Sequence, residues 1–200
     1  MLGDFMNKND LRYIKTEKII KESFKKCVEK HGFEKVTVSM ICEEGLISRN
    51  AFYLHFTDKY DLLDRMFDEF DSDIIKKYND NIMYSVLKKD MFSATEQYFN
   101  AITDRREDFL FLIKCSRTRV EESIQKIIVE NPIKKIIPDF DERKKDIKIA
   151  LNIRYMFSAM VAYTEYWFEN YDKISRKEAV FWLYKLCEQP SLLFLSHFEK

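Results

Sequence analysis

The sequence predicts an all-α protein: a three-helix N-terminal domain of helix-turn-helix type, followed by a larger C-terminal helical domain. Three observations carry that expectation. The 200 residues include only three glycines and three prolines, at Gly3, Gly32, Gly45, Pro132, Pro138 and Pro190. An average chain of this length holds roughly 24. Sandwiches, barrels and doubly wound sheets need many tight turns, and tight turns consume those residues. Apolar residues make up 46% and charged residues 34% of the chain, enough to bury a sizeable core beneath a charged exterior. Over long stretches the apolar residues also recur at helical rather than strand spacing.

Residues 11 to 31 read as an amphipathic helix. Leu11, Ile14, Ile19, Ile20, Phe24, Cys27 and Val28 approximate a 3.6-residue stripe, with Lys15, Lys18, Lys21, Lys25 and Lys26 on the other face. Gly32 ends it, where a left-handed cap is cheapest for glycine. Thr37 caps a short helix whose apolar side is Val38, Ile41 and Cys42. Gly45 marks a turn, Ser48 caps a second short helix reaching about His55, and Asp58 caps a longer one from Lys59 towards Tyr78. Beyond residue 80 the helices lengthen: about 91–103, 105–116, 118–136 (with a break near Pro132), 141–170 and 175–197. A loop of about four residues around Asp172 makes the last two antiparallel neighbours. The expected domains are 1–58 and 59–200, with the boundary falling inside the long helix that starts near Asp58.

Composition also excludes function classes. Lys plus Arg number 34 and Asp plus Glu number 34, so any nucleic-acid or membrane partner must be met by a local patch. Cys27, Cys42, Cys115 and Cys187 are far apart; they form neither a disulfide framework nor a zinc spacing, which fits a reducing cytoplasm. The longest uncharged runs, Tyr155–Thr164 and Gln189–Phe198, are ten residues each, about half of a spanning helix. The N-terminus carries Asp4 and Asp10 without an apolar stretch, unlike a signal peptide, and a cytoplasmic protein is expected. No phosphate-cradling glycine loop, nucleophile elbow or His-Glu metal motif is present. Neither catalytic residues nor a metal or other cofactor is expected.

The segment Thr37 to Lys59 carries the chemistry. Two short helices with Gly45–Ile47 between them fit a helix-turn-helix, whose second helix enters the major groove of DNA. Such helices cross closely, so a small residue is needed in the first, and Cys42 is small. Ile41, Ile47 and Phe52 are spaced to fix the crossing angle, and Ser48, Arg49, Asn50 and Ala51 open the groove-facing helix with short polar or basic residues.

Thr37-Val38, Ile41-Cys42, Ile47-Ser48-Arg49, Phe52-Tyr53-Leu54-His55-Phe56 and Lys59 resemble the DNA-binding signature of TetR-family transcriptional regulators. The likeness extends upstream through Thr16, Ile19, Phe24, Gly32 and Phe33, about 55 residues in all. The aromatic-His-Phe string followed by an acidic residue and Lys is its specific part. One departure stands out: family members usually carry Ala-Gly in the turn, whereas Gly45-Leu46 places the glycine one position early. The resemblance implies that Arg49 pairs with guanine O6 and N7, that Asn50 pairs with adenine, and that Ala51 and Leu54 touch thymine methyls. It also implies phosphate contacts from Thr37, Ser48, Tyr53, His55 and Lys59, aided by two helix N-termini. Between residues 8 and 35, nine Lys/Arg stand against five Asp/Glu, a modest excess that a dimer doubles. Taken singly, His55 is more often a cap or surface residue, Tyr53 half-buried packing, and a lysine face a solvated surface.

Nineteen of the 30 aromatic residues follow position 80, and most belong to core or interface. A cavity lined by aromatics and a few polar groups is the functional alternative, with Tyr98, Phe109, Arg154, Tyr155 and Ser158 as candidate ligand-binding residues. Apart from Lys148 at its start, Arg154 is the charged residue of the apolar stretch Ile147–Thr164; it is placed to pair an anionic ligand, to lie on an exposed stripe or to bridge a dimer. Phe157, Val161 and Phe168 align on one C-terminal helix with Ala150, and Val180, Leu183, Tyr184 and Cys187 on the next, as candidates for a four-helix dimer seam. Together with the resemblance, this implies a homodimeric repressor released from a palindromic operator on double-stranded DNA by a small, partly apolar effector. The alternative is a TetR-like helical adaptor whose body binds a protein partner.

Overall fold

The computed structural model describes residues 11–87, 90–130, 134 and 139–196, and among these there are helices and no strand. The elements are α1 (Leu11–His31), α2 (Val38–Glu44), α3 (Arg49–Tyr53), α4 (Lys59–Leu87), α5 (Met91–Thr103), α6 (Arg106–Gln125), α7 (Phe140–Arg143), α8 (Ile147–Glu169) and α9 (Arg176–Ser196). A 3-10 turn, Phe33–Lys35, joins α1 to α2, and a π-helical segment, Lys126–Glu130, continues α6.

The chain divides into two compact units, one ending at Glu69 and the other beginning at Phe70. The division falls inside α4, eleven residues past residue 58, and Leu62, Leu63, Met66 and Phe67 are buried residues of the first unit. Its core is Ile20, Phe24, Ile41, Phe52 and Phe56, all essentially inaccessible. Phe24 meets Phe33 edge-on at 6.2 Å, and Phe52 meets Phe56 at 5.9 Å, geometries that aromatic quadrupoles favour.

Helix ends are set by side chains that the sequence supplies. Gly32 leaves α1 at φ 77, ψ 148, a region essentially closed to residues with a Cβ. Asp58 accepts from the backbone N–H groups of Tyr60 and Asp61 at 2.8 Å each, while Asp61 accepts from Thr57 at 2.8 Å. This reciprocal box starts α4. Ser175 and Glu178 cap α9 in the same way.

In the second unit α9 packs on α5 and α8, and α6 packs on α8. Tyr98, Phe99, Phe109, Phe157 and Phe168 form its fully buried centre. The helices expected over 105–116 and 118–136 are joined as α6, broken where Ser116 takes an extended backbone (φ -162, ψ 97). Helix α4 runs to Leu87, beyond the expected end near Tyr78. The expected break at Pro132 lies outside the described residues. No described helix is long and apolar enough to cross a membrane.

Candidate functional site

Helix α3 presents a polar outer face. Ser48 caps it by accepting from Ala51 N–H at 3.1 Å, and Thr37 caps α2 by accepting from Met40 N–H at 3.3 Å. These two hydroxyls define where each helix starts, whatever else they touch. Arg49 and Asn50 are exposed, Ala51 is half-buried, and Tyr53 and Leu54 are 55% and 59% accessible. Phe52 points the opposite way and is fully buried. The groove-facing residues are therefore held by one aromatic anchor beneath them. Arg49 donates to the Ser39 hydroxyl at 2.6 Å, which parks its guanidinium against α2 and leaves other N–H donors open. Ser39 was not among the expected site residues, since nothing in its spacing distinguishes it.

Two of the residues expected at phosphates, His55 and Lys59, have partners within the protomer. The His55 side chain is only 5% accessible, stacked on Tyr13 with ring centroids 3.9 Å apart. Its Nδ1 lies 3.9 Å from Glu17 without a hydrogen-bond partner. Burial lowers its pKa below the ordinary 6.5, against the opposing pull of Glu17. The imidazole thus packs inside the domain, between Tyr13 and Phe56. Lys59 donates to the carbonyls of Phe33 and Glu34 at 3.0 Å each and lies over the Phe33 and Tyr60 rings. It ties α4 to the 3-10 turn ahead of α2, so its ammonium is engaged inside the domain. The lysine face of α1 is likewise partly neutralised: Lys26 and Lys30 pair with Glu44 at 3.5 and 2.8 Å, and Lys21 with Glu17 at 2.7 Å.

The turn resolves the displaced glycine. A Cβ on Gly45 would sit 2.8 Å from Ser23 Oγ and 3.2 Å from Ile19 Cγ2, so the close approach is between the turn and α1. Cys42 is buried, but the glycine permits that approach. Leu46 takes the left-handed conformation, φ 51. Its N–H donates to Glu43 O, and Ile47 N–H donates to Cys42 O, a Schellman ending in which this position is usually glycine.

Residues 25–66 match the family model described as bacterial regulatory proteins, tetR family. This segment is a DNA-binding domain of the TetR type. The chain is 26% identical over 170 residues to the HTH-type dhaKLM operon transcriptional activator DhaS of Lactococcus lactis subsp. lactis (strain IL1403), covering 78% of this chain and 81% of that protein. Two solved structures share the fold. The fatty acid degradation regulator FadR from Bacillus halodurans is 14% identical with TM-score 0.52, covering 86% of this chain and 94% of its own. A putative transcription regulator from Lactobacillus plantarum is 13% identical with TM-score 0.55, covering 84% and 96%.

In the second unit the expected ligand-binding residues separate into three environments. Tyr98 and Phe109 belong to the core: the Tyr98 hydroxyl and Thr164 Oγ1 are 2.8 Å apart, both fully buried, and Phe109 packs on Phe168 at 5.6 Å. Burial pushes the Tyr98 phenol well above its ordinary pKa. Arg154 and Ser158 line an open cleft of about 510 Å³ between α6 and α8, together with Gln125, Ile147, Leu151 and Phe157. Tyr155 points away from that cleft and is 63% accessible.

The expected dimer residues are also redistributed. Phe157, Val161, Phe168, Val180, Leu183 and Cys187 are buried inside the protomer, and Tyr184 is half-buried. They face the unit's own core because α8 packs against both α6 and α9. The exposed apolar stripe is instead Leu151, Tyr155 and Tyr166 on α8, with Trp182 and Leu186 on α9. On α8 these positions recur at i, i+4 and i+15 and share one face, but the buried set recurs as regularly, so spacing alone does not say which face is outward.

Proposed function

We propose that this chain acts as a homodimer, binding a palindromic operator through α3 and changing its DNA affinity when a small, partly apolar effector occupies the body. The observation that carries the reading is the outer face of α3: Arg49, Asn50, Tyr53 and Leu54 exposed together on a helix anchored by buried Phe52. Arg49 and Asn50 have the donor and acceptor patterns that read guanine and adenine edges. Ala51 and Leu54 supply apolar contact to thymine methyls, while Thr37, Ser48 and Tyr53 supply hydroxyls for phosphates. The apolar stripe on α8 and α9 supports a two-fold partner, and the cleft beside Arg154 supports an effector site.

Repression by occupying an operator is the sign first expected of such a protein. The Lactococcus relative is named an operon activator, so transcription in vitro from promoters with the operator upstream or overlapping assigns the sign. For effector to cut operator occupancy a hundredfold, it must favour the released state by roughly 2.7 kcal/mol.

The test is selection of binding sites from random duplex DNA, followed by salt titration on the winner. An inverted repeat with half-sites about one helical turn apart, bound with a steep salt slope, is expected. Arg49→Ala then relaxes preference at one base position in each half-site. Selection that enriches no sequence from folded, dimeric protein would remove the operator reading in favour of a protein-binding adaptor.

A further inference from the structure

We propose that the cleft between α6 and α8 binds a small organic monoanion with an apolar portion, an aryl or alkyl group joined to a carboxylate, sulfonate or phosphate diester. This rests on the effector reading above and specifies its chemistry. At about 510 Å³ the cleft is within the size range of small-molecule sites. Ile153 and Phe157, both buried, give it an apolar wall, extended outward by the exposed side chains of Ile147 and Leu151.

Three cations line the cleft, and two are already engaged. Lys144 pairs with Glu130 at 3.0 Å and with Asp141 at 3.1 Å, and Lys145 pairs with Glu142 at 2.8 Å. Arg154 makes no ion pair or hydrogen bond among the described residues, although it borders the apolar wall. Its planar guanidinium offers five donors in a fork that matches a carboxylate, sulfonate or phosphate. Beside apolar surface such a pair is screened less than in open water, so the anion and its apolar part reinforce each other.

The facing helix sets the limit on charge. Glu121 accepts from the Ser158 hydroxyl at 2.8 Å, which bridges α6 to α8. Glu122 also lines the cleft and is exposed. Two carboxylates on that side disfavour a second negative charge, so the site selects one charge at the Arg154 end and an uncharged remainder.

The full-length protein is titrated with 8-anilinonaphthalene-1-sulfonate and, separately, with N-phenyl-1-naphthylamine, which has the same rings without the sulfonate. Fluorescence reads both. Arg154 is exposed, so Arg154→Gln keeps the fold, and thermal unfolding checks that it does. The variant is expected to weaken the sulfonate by about tenfold or more, with the neutral compound changed less than about twofold. Arg154→Lys restores part of the loss. Sulfonate affinity unchanged in Arg154→Gln, or an equal loss for both compounds, would overturn the proposal. Adding the sulfonate to protein bound to its selected duplex separates the two readings. Arg154-dependent binding without any change in DNA affinity upholds the anion site and removes the effector role.

Discussion

Leu46 is the described non-glycine residue at positive φ, 51°, and it is 94% accessible. A Cβ in the left-handed region costs about 1–2 kcal/mol, and an exposed leucine recovers little of that by packing. Glycine at this position loses more chain entropy on folding, offsetting part of the gain. Leu46→Gly is therefore expected to stabilise the DNA-binding unit by about 1 kcal/mol or slightly less, seen as a higher midpoint in thermal unfolding. An unchanged or lower midpoint would show that the turn is not strained. Gly45→Ala has the opposite sign, since its Cβ would stand 2.8 Å from Ser23 Oγ. His55 gives the second test at this scale. Its folded pKa lies below the ordinary 6.5 because burial disfavours the imidazolium. Below pH 6.5 the unfolded chain takes up the proton first, so stability is complete above that value and declines as pH falls towards the folded pKa. Glu44 and Asp61, held below their ordinary values by Lys30 and by the Thr57 backbone N–H respectively, lose their contributions only at lower pH. Urea unfolding at about pH 7.5 and about pH 5.5 is expected to show a larger loss for wild type than for His55→Phe. Parallel losses would place the acid sensitivity elsewhere.

Helices α2 and α3 depend on their caps more than longer helices do, because α3 has only five residues, Arg49–Tyr53. Ser48→Ala leaves the Ala51 N–H without its acceptor, at a cost of about 1 kcal/mol. It is expected to weaken binding to every duplex by a similar factor, whereas Arg49→Ala changes the ranking among duplexes. Competition assays on a set of single-base variants of the selected site separate the two patterns, and a changed ranking in Ser48→Ala would assign base reading to the cap. Capping is local chemistry, which is why Thr37, Ser48, Asp58 and Gly32 were legible in the sequence. So was the α6 break near Ser116, since the two segments flanking it read as separate helices, 105–116 and 118–136. Partners far along the chain were not. Lys59 meets carbonyls at Phe33 and Glu34, and His55 meets Tyr13, so their engagement depends on tertiary packing. Periodicity likewise groups Phe157, Val161 and Phe168 on one side of α8, but it does not say which side faces out. On a helix packed against two others, the inward side is the wider one.

For the whole molecule, the stripe of Leu151, Tyr155, Tyr166, Trp182 and Leu186 carries the assembly prediction. These are large apolar side chains on two helices packed side by side, and all are more than half exposed except where a second copy covers them in the proposed dimer: Tyr155 stands at 63% and Trp182 at 57%. A monomeric protein rarely leaves such a patch open, and an isologous contact places it against itself. Ala159 and Ala162 are exposed on the same side of α8, small enough for a partner helix to approach closely. Tyr155→Glu combined with Trp182→Glu places like charges in that seam, on side chains that are not part of the protomer core. Sedimentation equilibrium at micromolar concentration is expected to show a dimer for wild type and a monomer for the double variant, with unchanged helical content. Loss of the dimer removes the coupling between half-sites. The variant is then expected to bind an isolated half-site as wild-type protomers do, and to lose its preference for the inverted repeat. If the double variant stays dimeric, the seam lies on another face. If it is monomeric yet still prefers the inverted repeat, DNA itself brings the protomers together.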